Sequence, residues 1–294
     1  MYPFSFFIKK YGSLFILAAL LLFCVGVWTA VYIETPPGKL TFAVLNIGQG
    51  DSLYIQSPTG IEVLVDSGPG GGALLRELPN VMRRGDRSID AIIETHPDSD
   101  HMGGFVELIK RYKVGAFIEP GITKHNATID ALEEEVADGN IPKYIARRGM
   151  TLDLGGGARL DILFPDVDVS YFGERTNDGS IVARLVYGDT VALLTGDATI
   201  WTENRLLRMA GPDELASDIL KVGHHGSKYS TGDAFVAAVH PSLAAISVGA
   251  KNTYGHPTEE VLNILARFNV PVLRTDQDGT LVFVSDGNAF ARQQ

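Results

Sequence analysis

The stretch Thr95–Gly104 reads THPDSDHMGG and carries the strongest chemical signal in the sequence. It places His96, Asp98, Asp100 and His101 within six residues, in a chain that has 7 histidines in total. Residues two apart in an extended segment point the same way, so the first histidine and both aspartates can converge where a strand ends. Clustered carboxylates repel one another unless a cation lies between them. We therefore predict that this loop binds metal, rather than only capping a helix through Asp100.

Two later stretches supply further candidate ligands, because each follows an apolar, strand-like run. The segment VALLTGDA ends in Asp197, and LKVGHHGSK contains the adjacent His224 and His225. Adjacent histidines point in different directions, so one is expected to bind metal while the other orients a ligand or touches substrate. The sequence leaves open which of the two plays which role.

Short β-branched runs alternate with helix-like stretches on either side of these motifs. Strands are predicted at 40–45, 52–56, 61–65, 89–95, 114–118, 160–164, 181–187 and 191–195, and helices at 102–112, 128–137, 202–209, 233–239 and 259–268. The pattern indicates a single domain in which two sheets lie between two helical layers.

The N-terminal region has a different composition. Residues 13–33 form an uninterrupted apolar run without a charge, and a membrane span needs about 20 such residues. A cleaved signal peptide is the alternative, but its apolar region normally covers only about 7 to 15 residues. Lys9 and Lys10 precede the run, and cytoplasmic flanks are rich in basic residues. We predict a cytoplasmic tip and signal anchor over 1–34, a linker over 35–39 and an extracytoplasmic domain over 40–294.

The charge balance of the chain is acidic. The formal net charge is −10, and no acidic residue precedes Glu34. General nucleic-acid binders tend to be basic, so broad electrostatic binding of nucleic acid is not expected. Bound divalent cations would offset the negative charge locally.

The order of the motifs, H-x-D-x-D-H, then TGD, then GHHGS, resembles the metallo-β-lactamase superfamily, and in more detail the hydrolase domain of ComEC-like competence proteins. The matching segments are NIGQGDS (46–52), LVDSG (64–68), THPDSDHMGG (95–104), NDGSIVARL (177–185), LLTGDA (193–198), LKVGHHGSK (220–228), ISVGAKNTYGHP (246–257) and RTDQDG (274–279). The resemblance implies an α/β (α+β) fold, a four-layer αββα sandwich with its site along one edge.

The resemblance also implies a centre of two divalent metal ions, zinc or manganese. The residues that match the metal motifs are His96, Asp98, Asp100, His101, Asp197 and one or both of His224 and His225. Asp197 is expected to bridge the two ions. The commoner pattern has histidine at position 98 and another histidine in the segment that here reads RTNDGS, so Asn177 or Asp178 substitutes or the coordination is thinner. Carboxylate in place of imidazole suits manganese better than a purely nitrogenous site does.

Five further roles are predicted for residues in these motifs. Asp100, His256 and Lys228 are the candidate catalytic residues, the histidine for contacting phosphate or protonating a leaving group and the lysine for steering phosphate. Asp66 is expected to support a ligand rather than bind metal itself. Asp51 either closes a glycine-rich hairpin or lies at the edge of the site.

These expectations favour a membrane-anchored, metal-dependent hydrolase whose bridging hydroxide attacks a phosphodiester in DNA or a related nucleic acid. One alternative is hydrolysis of another substrate, such as a lactone or a thioester. A different alternative is a binding module without turnover, which the missing histidine at 176–180 favours. ComEC-like proteins pair the domain with a multi-helix channel, so a role in DNA uptake does not follow from hydrolysis alone.

Overall fold

The computed structural model describes residues 4–34 and 38–293, and the chain divides into two compact units, Met1–Pro37 and Gly38–Gln294. In the first unit, helix α1 spans Phe4–Glu34. Of the described residues, Tyr11–Trp28 forms one helical segment long and apolar enough to cross a membrane, with a mean hydropathy of 2.2. The predicted linker falls mainly on residues 35–37, which lie outside the described residues, as do residues 1–3 of the predicted tip.

The second unit consists of short strands and helices in alternation. Its strands are β1 (Leu40–Val44), β2 (Leu53–Gln56), β3 (Glu62–Val65), β4 (Ser88–Ile89), β5 (Ala91–Ile93), β6 (Lys113–Val114), β7 (Phe117–Glu119), β8 (Lys143–Ile145), β9 (Thr151–Gly155), β10 (Ala158–Phe164), β11 (Val182–Tyr187), β12 (Thr190–Leu194), β13 (Ile219–Lys221), β14 (Leu243–Ile246), β15 (Val272–Arg274), β16 (Leu281–Ser285) and β17 (Phe290–Gln293). Its helices are α2 (Ala73–Glu77), α3 (Ser99–Met102), α4 (Phe105–Ile109), α5 (Ala127–Asp138), α6 (Ile200–Met209), α7 (Asp233–Val239), α8 (Glu259–Arg267) and α9 (Thr275–Asp278).

The strands form two large sheets. The first has the order β17-β16-β1-β2-β3-β5-β7-β8, and the second has the order β15-β14-β13-β12-β11-β10-β9. Neighbours from β3 to β8 in the first sheet pair in parallel, and so do those from β12 to β15 in the second. Both parallel halves therefore end at edges where loops can gather side chains for a site.

Alternating side chains on the strands build three hydrophobic layers. Phe42 on β1 packs between the two sheets, whereas its neighbour Ala43 packs on the other face of the first sheet with Phe105 of α4. Phe235 of α7 packs on the outer face of the second sheet. This is the predicted αββα sandwich, and the prediction is confirmed.

The predicted helix at 102–112 is instead two short helices, α3 and α4, separated by Gly103 and Gly104. A Cβ atom on Gly103 would lie 2.7 Å from the backbone nitrogen of Gly70, and one on Gly104 would lie 2.4 Å from the carbonyl oxygen of Ser67. The loop after β3 thus packs directly on the backbone at this break. The close approach holds the THPDSDHMGG loop in place beside that strand.

Candidate metal centre

One side of the candidate centre is built by His96, His101 and Asp197. His96 lies in the loop after β5, His101 lies in the short helix α3, and Asp197 follows β12 of the other sheet. The two imidazole rings lie 4.1 Å apart between centroids, and His101 Nε2 lies 3.2 Å from Asp197 Oδ1. One ligand atom from each residue lies within 4.8 Å of the others, and all three side chains are buried. This is close enough for the three to hold one ion.

A second group shares His101 and adds Asp100 and His225, with its ligand atoms also within 4.8 Å of one another. His225 Nε2 lies 3.5 Å from Asp100 Oδ2 and 3.6 Å from Asp197 Oδ2. The two oxygens of Asp197 therefore face different histidines. This is the arrangement that a carboxylate bridging two ions requires.

Several atoms that face one another in this cluster lack hydrogen-bond partners. His96 Nε2, His101 Nε2, His225 Nε2 and Asp197 Oδ1 are buried and accept or donate no hydrogen bond within the part of the chain that the structure describes. Leaving such an atom unsatisfied costs about 1 to 3 kcal/mol. Imidazole nitrogens mixed with carboxylate oxygens form a donor set that suits zinc or manganese. The residues present therefore fit a divalent cation.

Asp66 holds the ring of His101 from behind. Its Oδ2 lies 2.8 Å from His101 Nδ1, and it accepts hydrogen bonds from the backbone nitrogen and hydroxyl of Thr95 at 2.8 and 2.7 Å. A carboxylate at Nδ1 favours the proton there and leaves Nε2 as the metal-binding atom. The hydroxyl of Thr95 also lies 3.1 Å from His96 Nδ1, so one small network orients both imidazoles.

His225 is held by a second buried network. Its Nδ1 lies 3.0 Å from the carbonyl oxygen of Ser247 and 3.2 Å from Asp51 Oδ1. Lys221 Nζ lies 2.6 Å from the other oxygen of Asp51, and both of these side chains are 0% exposed. Lys221 is not among the site residues predicted from the sequence. Its one signal was a lysine placed within an otherwise apolar strand.

The charges of the cluster shift its pKa values strongly. Burial disfavours charge on His101, yet Asp197 and Asp66 raise the pKa of His101 well above its ordinary value. His225 is likewise buried, and Asp197 and Asp51 raise its pKa to about 9. Burial by itself would raise the pKa of Asp197, but the neighbouring histidines hold it well below its usual range. The site thus retains positive charge in the form of protons, which a divalent cation would replace.

The adjacent histidines both adopt left-handed backbone conformations, with φ of 49° at His224 and 54° at His225, and their side chains have different surroundings. Such conformations cost on the order of 1 to 3 kcal/mol each and cluster at functional sites. The two rings are tilted 78° apart. His225 is buried among the ligands, whereas His224 is partly exposed with Nε2 3.7 Å from Asp197 Oδ2.

The structure also positions the residues that stand where the commoner family pattern has histidine. Asp98 Oδ1 accepts hydrogen bonds from Lys124 Nζ at 2.8 Å and from the Thr176 hydroxyl at 3.0 Å, while its Oδ2 lies 3.6 Å from His96 Nε2. Asn177 Nδ2 lies 3.4 Å from the ring nitrogens of His224. The carboxylate of Asp178 instead pairs with Arg175. Of the two candidate substitutes for the missing histidine, Asn177 is therefore the one beside the site.

A cavity of about 140 Å³ opens over the cluster. Its lining residues are Gln49, Asp98, Asp100, Asn177, Asp197, His224, His225, Tyr254 and His256. The ring of His256 lies 5.7 Å from that of His224 and stacks on Tyr254. The structure does not bring Lys228 to this lining, because the side chain is exposed with its ammonium over the ring of Tyr229. Sequence reasoning missed Gln49 and Tyr254, which carry no ligand-type side chain.

Comparison with known proteins identifies relatives of this chain. The chain is 32% identical over 263 residues to ComE operon protein 3 of Bacillus subtilis (strain 168), covering 82% of this chain and 32% of that protein. It is 32% identical over 248 residues to Competence protein ComA of Neisseria gonorrhoeae, covering 84% of this chain and 33% of that protein. The chain thus spans about a third of the length of these relatives.

Among solved structures, the metallo-beta-lactamase fold protein YhfI from Bacillus subtilis matches with a TM-score of 0.55 and 13% identity, over 84% of this chain and 100% of that one. At this identity the similarity concerns the fold alone. The sequence profile described as Metallo-beta-lactamase superfamily matches residues 45–249, which include every loop of the candidate metal centre up to His225. The chain therefore belongs to the metallo-β-lactamase superfamily.

Proposed function

We propose that the protein is a metal-dependent phosphodiesterase that cleaves DNA or a related nucleic acid. The observation that supports this most directly is the pair of overlapping ligand groups around His101, with the two oxygens of Asp197 facing different histidines. His96, His101 and Asp197 would hold one ion, and Asp100 and His225 would help to hold the second. Two such ions acidify a water and stabilise both the attacking and the leaving oxygen of a phosphodiester.

The chain's own residues have separate tasks in this proposal. Asp66 and Asp51 contact Nδ1 of His101 and His225, which would leave the two Nε2 atoms available to hold the ions. His256, Asn177 and the hydroxyl-bearing ring of Tyr254 line the cavity and are available to contact the phosphate and the leaving group. Burial, followed by the nearby histidines, lowers the pKa of His256. The ring is therefore neutral at neutral pH and can exchange hydrogen bonds with a substrate without a fixed charge.

The side chains that line the cavity favour a phosphodiester substrate over a lactone or a thioester. Of the lining residues, Tyr254 alone presents a large apolar surface, and the other eight carry amides, carboxylates or imidazoles. Pockets for small organic ligands are predominantly apolar, and a lactone or acyl thioester brings an apolar chain that needs such a wall. A phosphodiester needs polar contacts, and the names of the competence relatives point toward DNA.

The candidate membrane helix and the competence-protein relatives suggest a membrane protein. We further propose that α1 anchors the catalytic domain outside the cytoplasm, since Lys9 and Lys10 precede the apolar run and basic flanks stay inside. Protease added to intact spheroplasts should then degrade the domain. Protection of the domain until the cells are lysed would reverse this topology.

The enzymatic proposal is tested with the full chain purified in mild detergent. Elemental analysis should find two divalent ions per chain, and bis(p-nitrophenyl) phosphate and single-stranded DNA should be hydrolysed with manganese or zinc. Asp197→Asn should reduce the rate to that of the chelated protein, because the bridging position loses a charged oxygen. The matched control is Asp189→Asn, at the exposed opposite end of β12, which should behave as the wild type.

Two results would contradict the proposal in different ways. Hydrolysis of lactones or thioesters, but of no phosphodiester, by the fully loaded protein would assign it another substrate class. Binding of one ion or none, together with no turnover on any of these substrates, would make it a binding module.

A further inference from the structure

A second cavity, of about 540 Å³, lies beside the candidate metal centre. Ligand pockets usually measure about 300 to 1,000 Å³, so this side cavity is large enough for a nucleobase. Pro97 of the metal-binding loop and Lys124 belong to its wall. The ammonium of Lys124 lies 2.8 Å from Asp98 Oδ1, and Asp98 lines the cavity over the metal centre. The ion pair of Lys124 and Asp98 therefore joins the linings of the two cavities.

The walls of the side cavity suit a flat ring with polar edges. Its apolar contributions are Ile122, Ile129, Leu132 and Ile145, which offer surface for the faces of such a ring. On the polar side, Lys143 Nζ lies 3.1 Å from a carboxylate oxygen of Glu119 and also pairs with Glu133. These carboxylates would repel a phosphate, so the cavity accepts an uncharged group better than an anion.

The side chain of Glu94 is the feature of the side cavity that points to a ligand. It lines the cavity, and the residue is only 4% exposed. The carboxyl group forms no hydrogen bond or ion pair with any residue in the ranges 4–34 and 38–293. The Glu94 oxygens are not sealed inside the protein and open onto the cavity. An amino group of a ligand there would supply a hydrogen-bond donor that the described residues do not.

We infer that the side cavity binds the base of a nucleotide adjoining the scissile phosphodiester, with Glu94 accepting a hydrogen bond from the exocyclic amino group of adenine, cytosine or guanine. The inference rests on the proposed function, which places the phosphodiester over the neighbouring metal centre. Enzymes that act on nucleic acid read an unstacked base through its Watson–Crick edge in this way. A base can enter the cavity only from a strand in which it is unpaired, so single-stranded nucleic acid is the expected substrate.

The test compares three p-nitrophenyl phosphodiesters that differ only beside the phosphate: the 5′-ester of deoxyadenosine, the 5′-ester of thymidine and the methyl ester. The wild-type protein, as full chain in detergent, should hydrolyse the deoxyadenosine ester with kcat/KM about tenfold above that of the methyl ester, the effect of burying roughly 60 Å² of ring surface. The deoxyadenosine ester should also exceed the thymidine ester by about tenfold, since one hydrogen bond separates them.

Four variants test access to the cavity, recognition of the base by Glu94, and a change outside the cavity. Thr123→Trp introduces an indole at an exposed position of the cavity wall and should bring the ratio of the deoxyadenosine to the methyl ester close to one. Glu94→Met should abolish the preference for deoxyadenosine over thymidine. Glu94→Gln should only reduce it, because the amide oxygen still accepts from adenine while the amide nitrogen can donate to O4 of thymine. Glu134→Gln is the control, an exposed glutamate on α5 outside the cavity lining, and should leave all three rates unchanged.

Equilibrium dialysis of deoxyadenosine 5′-monophosphate tests the base site separately from the proposed phosphodiesterase activity. Binding that is weakened by both Thr123→Trp and Glu94→Met supports the base site even if no ester is hydrolysed, a result that would defeat only the proposed function. Hydrolysis of all three esters at equal rates, or equal nucleotide binding by wild type and Thr123→Trp, overturns the base site while leaving the phosphodiesterase intact. The base site is also overturned if Glu94→Met binds one manganese ion fewer than the wild type. Glu94, Glu119 and Glu133 would then form a cation site.

Discussion

The buried pair of Lys221 and Asp51 leads to a prediction about stability that can be worked out from the structure. Both side chains are 0% exposed, and 2.6 Å separates Lys221 Nζ from Asp51 Oδ2. Burial opposes ionisation of Asp51, but Lys221 and His225 together lower its pKa. Removing one partner of a buried pair leaves the other charge uncompensated, at a cost of about 3 to 5 kcal/mol. Lys221→Met keeps most of the apolar stem and removes only the ammonium.

We expect Lys221→Met to lower the melting temperature by roughly 6 to 20 °C, at about 2 to 4 °C per kcal/mol for a domain of this size. Thermal unfolding of the chain in detergent, followed by circular dichroism, measures this shift. The variant Asp51→Asn and the double variant complete a double-mutant cycle. The double variant should be more stable than the sum of the single changes predicts, because it contains no unpaired buried charge.

The matched control is Lys251→Met, which removes an exposed lysine in a loop near the same site. Substitutions of this kind usually change stability by less than about 0.5 kcal/mol. If Lys221→Met costs no more than Lys251→Met, or if the cycle shows simple additivity, the pair does not exist as a buried ion pair. The support of His225 through Asp51 would then need another explanation.

Three further predictions concern the site and the fold. Asp66→Asn should weaken metal binding by about 10- to 100-fold in calorimetric titration, because an amide cannot hold His101 as a carboxylate does; an unchanged affinity would show that the ring needs no such support. Burial raises the pKa of Glu203 to about 7 from an ordinary 4.5, so the folded state retains a proton that the unfolded state releases. Stability should therefore fall by about 3 kcal/mol as the pH rises from about 4.5 through about 7. Urea midpoints at several pH values should show this slope, and Glu203→Gln should lack it; equal slopes would contradict the assignment. Gly50→Ala should destabilise the domain, since a Cβ there would lie 2.0 Å from the carbonyl oxygen of Asp100 in a backbone with φ of +120°; a variant with wild-type unfolding would show that the two loops can separate freely.

Local sequence patterns were enough to locate the elements that carry the candidate ligands. Each predicted ligand segment follows a short apolar run, and the structure places a strand before each: β5 before His96, β12 before Asp197 and β13 before His225. Period and composition reveal such runs because a buried strand needs apolar side chains on both faces. The same signals failed at 102–112, where a continuous helical pattern conceals a break that exists only because another loop packs against Gly103 and Gly104.

Supporting residues were harder to find, because their roles depend on contacts across long separations. In the sequence, little distinguishes Lys221 from an ordinary lysine. Its role depends on the loop after β1, which brings Asp51 into contact with it. Lys124 and Glu94 likewise have no motif of their own. The first pairs with Asp98, and the second lines the side cavity.

The sequence by itself determined which side chains are able to bind metal, that they follow strands, and that an apolar segment capable of spanning a membrane precedes the domain. Those properties reside in residue type and short-range periodicity, which do not depend on distant parts of the chain. Only the tertiary structure decided that Asp197 faces both His101 and His225, that Asn177 rather than Asp178 lies beside His224, and that Lys228 lies outside the cavity lining. These outcomes depend on how two sheets pack across a shared core, and the distances between their edges are not encoded in any one segment.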